Sequence, residues 1–203
     1  MDSNTQGMNE LTALRDRCLA CRKCEIGGKL IDGQYLSNVF SNMNLGAKIM
    51  VVGQNPGHDE TVKGEPFVGV AGKIWDEASE KYLGLTRKAF YIANAVRCWT
   101  LGNRCPIESE VENCREFLDR EIEIINPTII IALGRVAFSY LTGMTGIMRH
   151  HGRIVSSIRY RVPVMPILHP SPLNTNNPEK REEFYNGLKR LREFLDAGSA
   201  KET

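Results

Sequence analysis

An α/β domain, a three-layer αβα sandwich around a mainly parallel four-stranded central sheet, is what this sequence predicts, and three observations predict it. Four short apolar runs of strand length alternate with segments of helical periodicity. One of those runs, TIIIAL at Thr128–Leu133, has no polar break, as a strand covered on both faces requires. The 203-residue chain is long enough for one ordinary core and too short for two comfortable ones. A single domain over residues 9–198 is therefore expected, with 1–8 and 199–203 as flexible termini.

The first element is a helix from about Asn9 to Cys24, because Leu11, Leu14, Cys18 and Cys21 recur along one helical stripe. The stretch from Gly27 to Gly46 is rich in Gly, Asn and Ser and is expected to be irregular. Lys48–Val52 (KIMVV) reads as a buried strand that stops at Gly53-Gln54-Asn55-Pro56-Gly57. A glycine-rich loop then leads into a helix over Ala71–Tyr82. Ala89–Ala93 (AFYIA) is a second strand, and Glu108–Ile125 a helix with Val111, Cys114, Leu118, Ile122 and Ile125 on one face. Asn126-Pro127 ends it ahead of the Thr128–Leu133 strand, and Gly134–Leu141 is a short helix. Arg153–Ile158 reads as an antiparallel extra strand or hairpin arm, and Val162–Leu168 as the fourth core strand. Asn177 and Pro178 supply the N-cap and first-turn proline of a last helix, whose Phe184, Leu188, Leu191 and Leu195 form an apolar stripe.

Composition narrows the function classes. Hydrophobic residues at 42% and charged residues at 25% give the balance of a soluble globular chain rather than a disordered or fibrous one. The longest apolar run is strand-sized, so no membrane contact is expected. The polar N-terminus lacks a basic patch followed by an apolar stretch, and a cytoplasmic location is expected. A net charge of +2 leaves nucleic acid open as a partner without requiring it.

In open parallel sheets ligands bind beyond the carboxyl ends of the strands. The residues there are Gln54 and Asn55, then Asn94, then Gly134 and Arg135, then His169. Amides and an imidazole suit a flat polar ligand. Six cysteines are many for a reducing compartment and point to a metal or cluster rather than to disulfides. Cys21-x-x-Cys24, in the terminal helix, and Cys98 with Cys114 make two ligand pairs. Four thiolates suit zinc or an iron–sulfur cluster. Neither half is a zinc-knuckle hairpin and the second pair is widely spaced, which favours a 4Fe-4S cluster with zinc as the rival. Cys18 lies on the apolar stripe and reads as a core thiol; Cys105 reads as a spare.

Taken in order, these residues resemble the iron–sulfur (family 4) uracil-DNA glycosylases. The likeness is carried by Cys21 and Cys24, the Gly53–Gly57 turn, Gly64-Glu65-Pro66-Phe67-Val68-Gly69-Val70-Ala71-Gly72, Asn94, Cys98, Cys114 and His169-Pro170-Ser171. It runs from about Cys18 to Leu195. The chain departs from the family's G-E-x-P-G turn, with Gln54 where Glu is usual and Asn55 where a small residue is usual. Asn55 is instead similar to the water-positioning Asn of the mismatch-specific uracil and thymine glycosylases, and Gln54 to the G-Q-D-P loop of family 1.

The resemblance implies a fold of the uracil-DNA glycosylase type and a DNA repair enzyme. It would flip uracil out of the duplex and hydrolyse its N-glycosidic bond, leaving an abasic site. It implies the following roles. Phe67 stacks on the base, and Asn94 accepts from N3–H while donating to O4. His169 donates to O2 as charge develops on the leaving base. Asn55, Gln54 and the Gly53 turn hold the attacking water, Glu60 lies near C5 of the base, and Ser171 joins the substrate-binding set. Leu173, in an H-P-S-P-L run, fills the stack left by the flipped base. Arg149, His150, His151 and Arg153 form the most concentrated basic loop and are expected to face phosphates. No lysine stands out as a Schiff-base nucleophile, so a monofunctional hydrolase is expected, working as a monomer on uracil-containing DNA. No segment identifies a sliding-clamp partner. The alternatives are a glycosylase for hypoxanthine or xanthine, suggested by Asn55, and a lesion-binding iron–sulfur protein without turnover.

Overall fold

The computed structural model describes residues 3–28, 30–31, 34–36 and 38–199. The chain opens with helix α1 (Ser3–Ala20) and a two-strand hairpin, β1 (Leu30–Ile31) and β2 (Gln34–Tyr35). Strand β3 (Ile49–Gly53), short helix α2 (His58–Lys63), helix α3 (Val70–Leu83) and strand β4 (Phe90–Asn94) follow. Then come α4 (Glu108–Ile125), β5 (Ile129–Leu133), α5 (Arg135–Thr142), α6 (Ile147–His150), β6 (Val155–Ser156), β7 (Pro163–Ile167), α7 (Pro172–Thr175) and α8 (Pro178–Ser199).

The central sheet runs β4-β3-β5-β7-β6, with every neighbouring pair parallel except β6 against β7. Side chains alternate between its faces, as the two-residue period of a strand dictates. Met50, Val52, Ile130 and Ala132 enter one core, with Leu11, Leu118, Phe138 and Leu141. Val51, Ile129, Ile131 and Leu133 enter the other, with Trp75, Phe184, Leu188 and Leu191. Helices α1, α4 and α5 thus cover one face and α3 and α8 the other, which is the three-layer sandwich.

Three details differ from the sequence reading. The central sheet has five strands rather than four, because Val155 and Ser156 pair with Val164 and Pro163 at the edge. That extra strand is two residues long, not six, since Ser157 turns the chain away: its hydroxyl donates to Leu141 O at 2.5 Å and accepts from the Arg159 and Tyr160 amides. Helix α1 begins at Ser3 and ends at Ala20, so residues 3–8 are helical and Cys21 and Cys24 follow the helix instead of riding on it. Its stop has a visible cause. Asn38 Nδ2 donates to the carbonyls of Cys18 and Cys21 at 2.7 and 3.0 Å, and Arg22 Nη1 to that of Leu19 at 3.1 Å, satisfying acceptors that a longer helix would have used itself. The remaining strands and long helices fall within one or two residues of their expected bounds, and Asn177 Oδ1 accepts from the Lys180 amide at 3.0 Å as an N-cap should. Among the described residues no helix is long and apolar enough to cross a membrane.

Candidate functional site

The parallel strands deliver their carboxyl ends to one edge of the sheet, where a cavity of about 640 Å³ opens. Its lining includes Gln54, Asn55, Glu60, Phe67, Asn94, His169, Ser171 and Leu173, eight residues expected from sequence and spread over 120 positions of chain. Gly53 stands just behind them at the end of β3, register partner of Asn94 at the end of β4.

Asn94 is buried, and its Oδ1 takes no hydrogen bond from the described residues. An orphan acceptor costs roughly 1–3 kcal/mol, so an amide held this way is suited to receive a donor from a ligand. Room for it comes from Gly53, where a β-carbon would lie 2.4 Å from Asn94 Oδ1 and 2.7 Å from Phe67 Cζ.

Phe67 is buried and adopts φ +54°, a left-handed conformation that costs a non-glycine residue about 1–2 kcal/mol. Two neighbours hold it. Gly72 offers no side chain where the Phe67 backbone passes, since a β-carbon there would fall 1.9 Å from Phe67 O. Arg87 donates through Nη1 to Phe67 O at 3.0 Å and through Nη2 to Pro66 O, and is itself 3.4 Å from the Asp76 carboxylate. The Phe67 ring is tilted at 45° to the His169 ring, with centroids 6.2 Å apart.

His169 follows the end of β7. Burial pushes its pKa down to about 4, so at neutral pH the ring is uncharged and offers one N–H donor and one acceptor. The loop beyond it is fixed by Asn174 Nδ2, which donates to His169 O at 2.9 Å, and by Ser171, the N-cap residue of α7. Leu173 on that helix is 82% exposed at the cavity rim, a position no packing argument explains.

The Gly53–Gly57 turn carries a chain of amides. Gln54 Nε2 donates to Asn55 Oδ1 at 2.8 Å, and Asn55 Nδ2 to Pro56 O at 2.9 Å and to Thr100 Oγ1 at 3.4 Å. Glu60 has both oxygens engaged: Oε2 accepts from the Gly57 amide at 2.9 Å and Oε1 from the Gly69 amide at 2.7 Å. Its carboxylate thereby ties the Gly53–Gly57 turn to the loop that carries Phe67.

Other expected residues lie elsewhere. Arg149 and Arg153 are exposed and do not line the cavity. His151 is not a phosphate-facing side chain: it is 2% exposed, accepts from the Leu168 amide at Nδ1 and bonds Glu183 O through Nε2 at 2.8 Å. Burial lowers its pKa, and its work is to hold the β7 end against α8. Sequence reasoning missed Arg87, Thr100 and the cavity-lining His58 and Asn103, none of which belongs to a strand end or a glycine motif.

The six cysteines differ in burial and surroundings. Cys105 is exposed, with Arg135 Nη2 3.6 Å from its sulfur. Cys18 is fully buried among Leu14, Phe40 and Phe117, and that burial pushes its thiol up to about 12. Cys98 and Cys114 are buried, Cys21 and Cys24 half-buried, and all are free thiols. The thiols of Cys114, Cys18, Cys24 and Cys21 are near enough to Cys98 to add to the upward shift that burial gives it. Polar partners already line this lobe: Asn113 Nδ2 donates to Cys24 Sγ at 3.3 Å, and Asn38 Oδ1 lies 3.3 Å from Cys98 Sγ. Among the described residues no three His, Cys, Asp or Glu side chains close into a metal-holding group.

Comparison with known proteins gives a consistent answer. The family model described as the uracil DNA glycosylase superfamily matches residues 40–191. The chain is 35% identical to a Type-4 uracil-DNA glycosylase of Archaeoglobus fulgidus, over 92% of this chain and 94% of that protein. It is 34% identical to a Type-4 uracil-DNA glycosylase of Saccharolobus solfataricus, over 94% of this chain and 88% of the relative. A Type-5 uracil-DNA glycosylase of Pyrobaculum aerophilum is 33% identical over 66% of this chain and 65% of its own length.

Proposed function

The chain belongs to the uracil DNA glycosylase superfamily, and on that premise we propose the chemistry that its cavity performs. It is a DNA repair enzyme, a monofunctional uracil-DNA glycosylase. We read it as a cytoplasmic monomer. A uracil extruded from DNA enters the cavity and is sandwiched by Phe67. Asn94 Oδ1 accepts from N3–H and Nδ2 donates to O4, a pairing that cytosine reverses. The neutral His169 donates to O2.

The C1′–N1 bond breaks with its electron pair moving onto the base, where O2 and N1 share the charge. Water adds to C1′ and releases a proton to solvent, the departing uracil anion takes one up from solvent, and the abasic sugar and free uracil are left. One donor at a developing oxyanion is worth on the order of 3 kcal/mol, and His169 is assigned that term. Glu60 is occupied by backbone amides and Gln54 stands where a carboxylate would serve as base. With an oxocarbenium-like transition state, as in glycoside hydrolysis, the electrophilic C1′ takes up a water held by Gln54 and Asn55.

The observation that carries this reading is the orphan Asn94 acceptor set beside the Phe67 ring and a neutral imidazole. The test is release of free uracil from single-stranded and U:G oligonucleotides without added metal. Stable protein–DNA adducts in place of free base would favour lesion trapping. Asn55, which lines the cavity, supports a second substrate class, and parallel assays on hypoxanthine, xanthine and thymine decide it.

Cys21, Cys24, Cys98 and Cys114 supply by chemistry the four thiolates an iron–sulfur cluster takes, all being free thiols, although in this structure they do not close around a common centre. We assign them a 4Fe-4S cluster, with zinc the rival. Such a group would supply a covalent staple joining the loop after α1, the segment after β4 and α4. Leu173, Arg149 and Arg153 are assigned to DNA: the leucine to the vacated stack, the arginines to phosphates.

A further inference from the structure

We propose that Arg87 is a positioning residue that holds the base-stacking wall of the cavity in register with the base-reading amide. The inference rests on the uracil reading above and deepens it. Phe67 stays in a left-handed backbone conformation that its side chain disfavours, so something outside the residue must impose it. Gly72 permits that conformation by leaving space, but space alone exerts no pull.

The pull comes from Arg87. Its guanidinium forks onto two successive carbonyls, those of Pro66 and Phe67, and the Asp76 carboxylate on α3 anchors it from behind at 3.4 Å. Arg87 begins the short turn Arg87–Ala89 that runs directly into β4, whose last residue is Asn94. One side chain therefore couples the strand that carries the reading amide to the loop that carries the stacking ring. Lysine has one compact ammonium and cannot reproduce the planar fork. Arg87 is not among the cavity-lining residues, and its hydrogen bonds run to the Pro66 and Phe67 carbonyls, so its effect on the cavity passes through Phe67.

The test compares two affinities of purified protein: inhibition by free uracil, which reads the base pocket, and binding of DNA carrying a stable abasic-site analogue, which reads everything else. Arg87→Ala is expected to weaken uracil inhibition by about tenfold or more while abasic-DNA binding stays within about twofold. Arg87→Lys should fall between Ala and wild type. Unchanged uracil inhibition in Arg87→Ala, or equal losses for uracil and abasic DNA, would overturn the proposal. If Arg87→Ala does not fold, Arg87→Lys carries the test, and wild-type uracil inhibition in that variant overturns it. Failure of the underlying reading looks different: the wild-type protein itself would release no uracil.

Discussion

Gly53 and Asn94 are register partners at the ends of adjacent parallel strands, and the missing side chain of the first is the space occupied by the amide of the second. A methyl group on Gly53 would meet Asn94 Oδ1 at 2.4 Å and the Phe67 ring at 2.7 Å, both closer than any real contact. Gly53→Ala is therefore expected to displace both base-facing groups. Its kcat/KM for uracil should fall by at least about 100-fold, a loss of roughly 3 kcal/mol. The colliding atoms are ends of side chains facing a cavity, so the melting temperature should drop little. Steady-state kinetics beside thermal unfolding checks the split.

The depressed pKa of His169 sets a pH dependence with a definite sign. Its folded value of about 4 lies below the ordinary 6.5, so folding favours the neutral ring. That contribution to stability is whole above about pH 6.5 and is lost as pH falls through about 4. The same group should leave kcat/KM flat from pH 8 down to about pH 5. His169→Ala should lose on the order of 100- to 1,000-fold in kcat. An acid limb centred near pH 6.5 that vanishes in His169→Ala would contradict the assignment.

Leu173 is 82% exposed, so its truncation should leave folding stability within about 0.5 kcal/mol. Its work is expected on the DNA. Leu173→Ala should slow uracil release from duplex substrate several-fold more than from single strands, where no stack has to be opened. Equal effects on both substrates would remove the wedge role.

Metal content separates the cysteines. Cys98→Ser and Cys114→Ser should lose bound iron, whereas Cys105→Ser, at an exposed site, should keep it. Cys18→Ser should also retain iron but lose about 1–3 kcal/mol of stability, because a hydroxyl replaces a thiol in a closed apolar nest. Elemental analysis with visible absorption checks all four; one zinc and no iron in the wild type would decide for the rival metal.

How much of this was legible in the sequence depends on the range of the forces involved. The bounds of α4, the unbroken Ile129–Leu133 strand and the Asn177 cap followed from periodicity and local turn chemistry, which act within a few residues. The end of α1 did not, since it is set by Asn38, a residue 18 positions further on, reaching back to its last carbonyls. His151 read as a surface cation because its neighbours in sequence are basic, yet tertiary packing buried it against α8.

The sequence by itself determined the three-layer character of the sandwich and the strand ends where polar groups gather, because periodicity and chain direction are local properties. Only the tertiary structure decided how those groups are held. Glu60 turned its carboxylate onto the Gly57 and Gly69 amides, and Arg87 captured the carbonyls of Pro66 and Phe67. The physical reason is that a buried hydrogen bond is chosen among all donors and acceptors the fold brings within about 3 Å, and the linear order of residues does not specify that set.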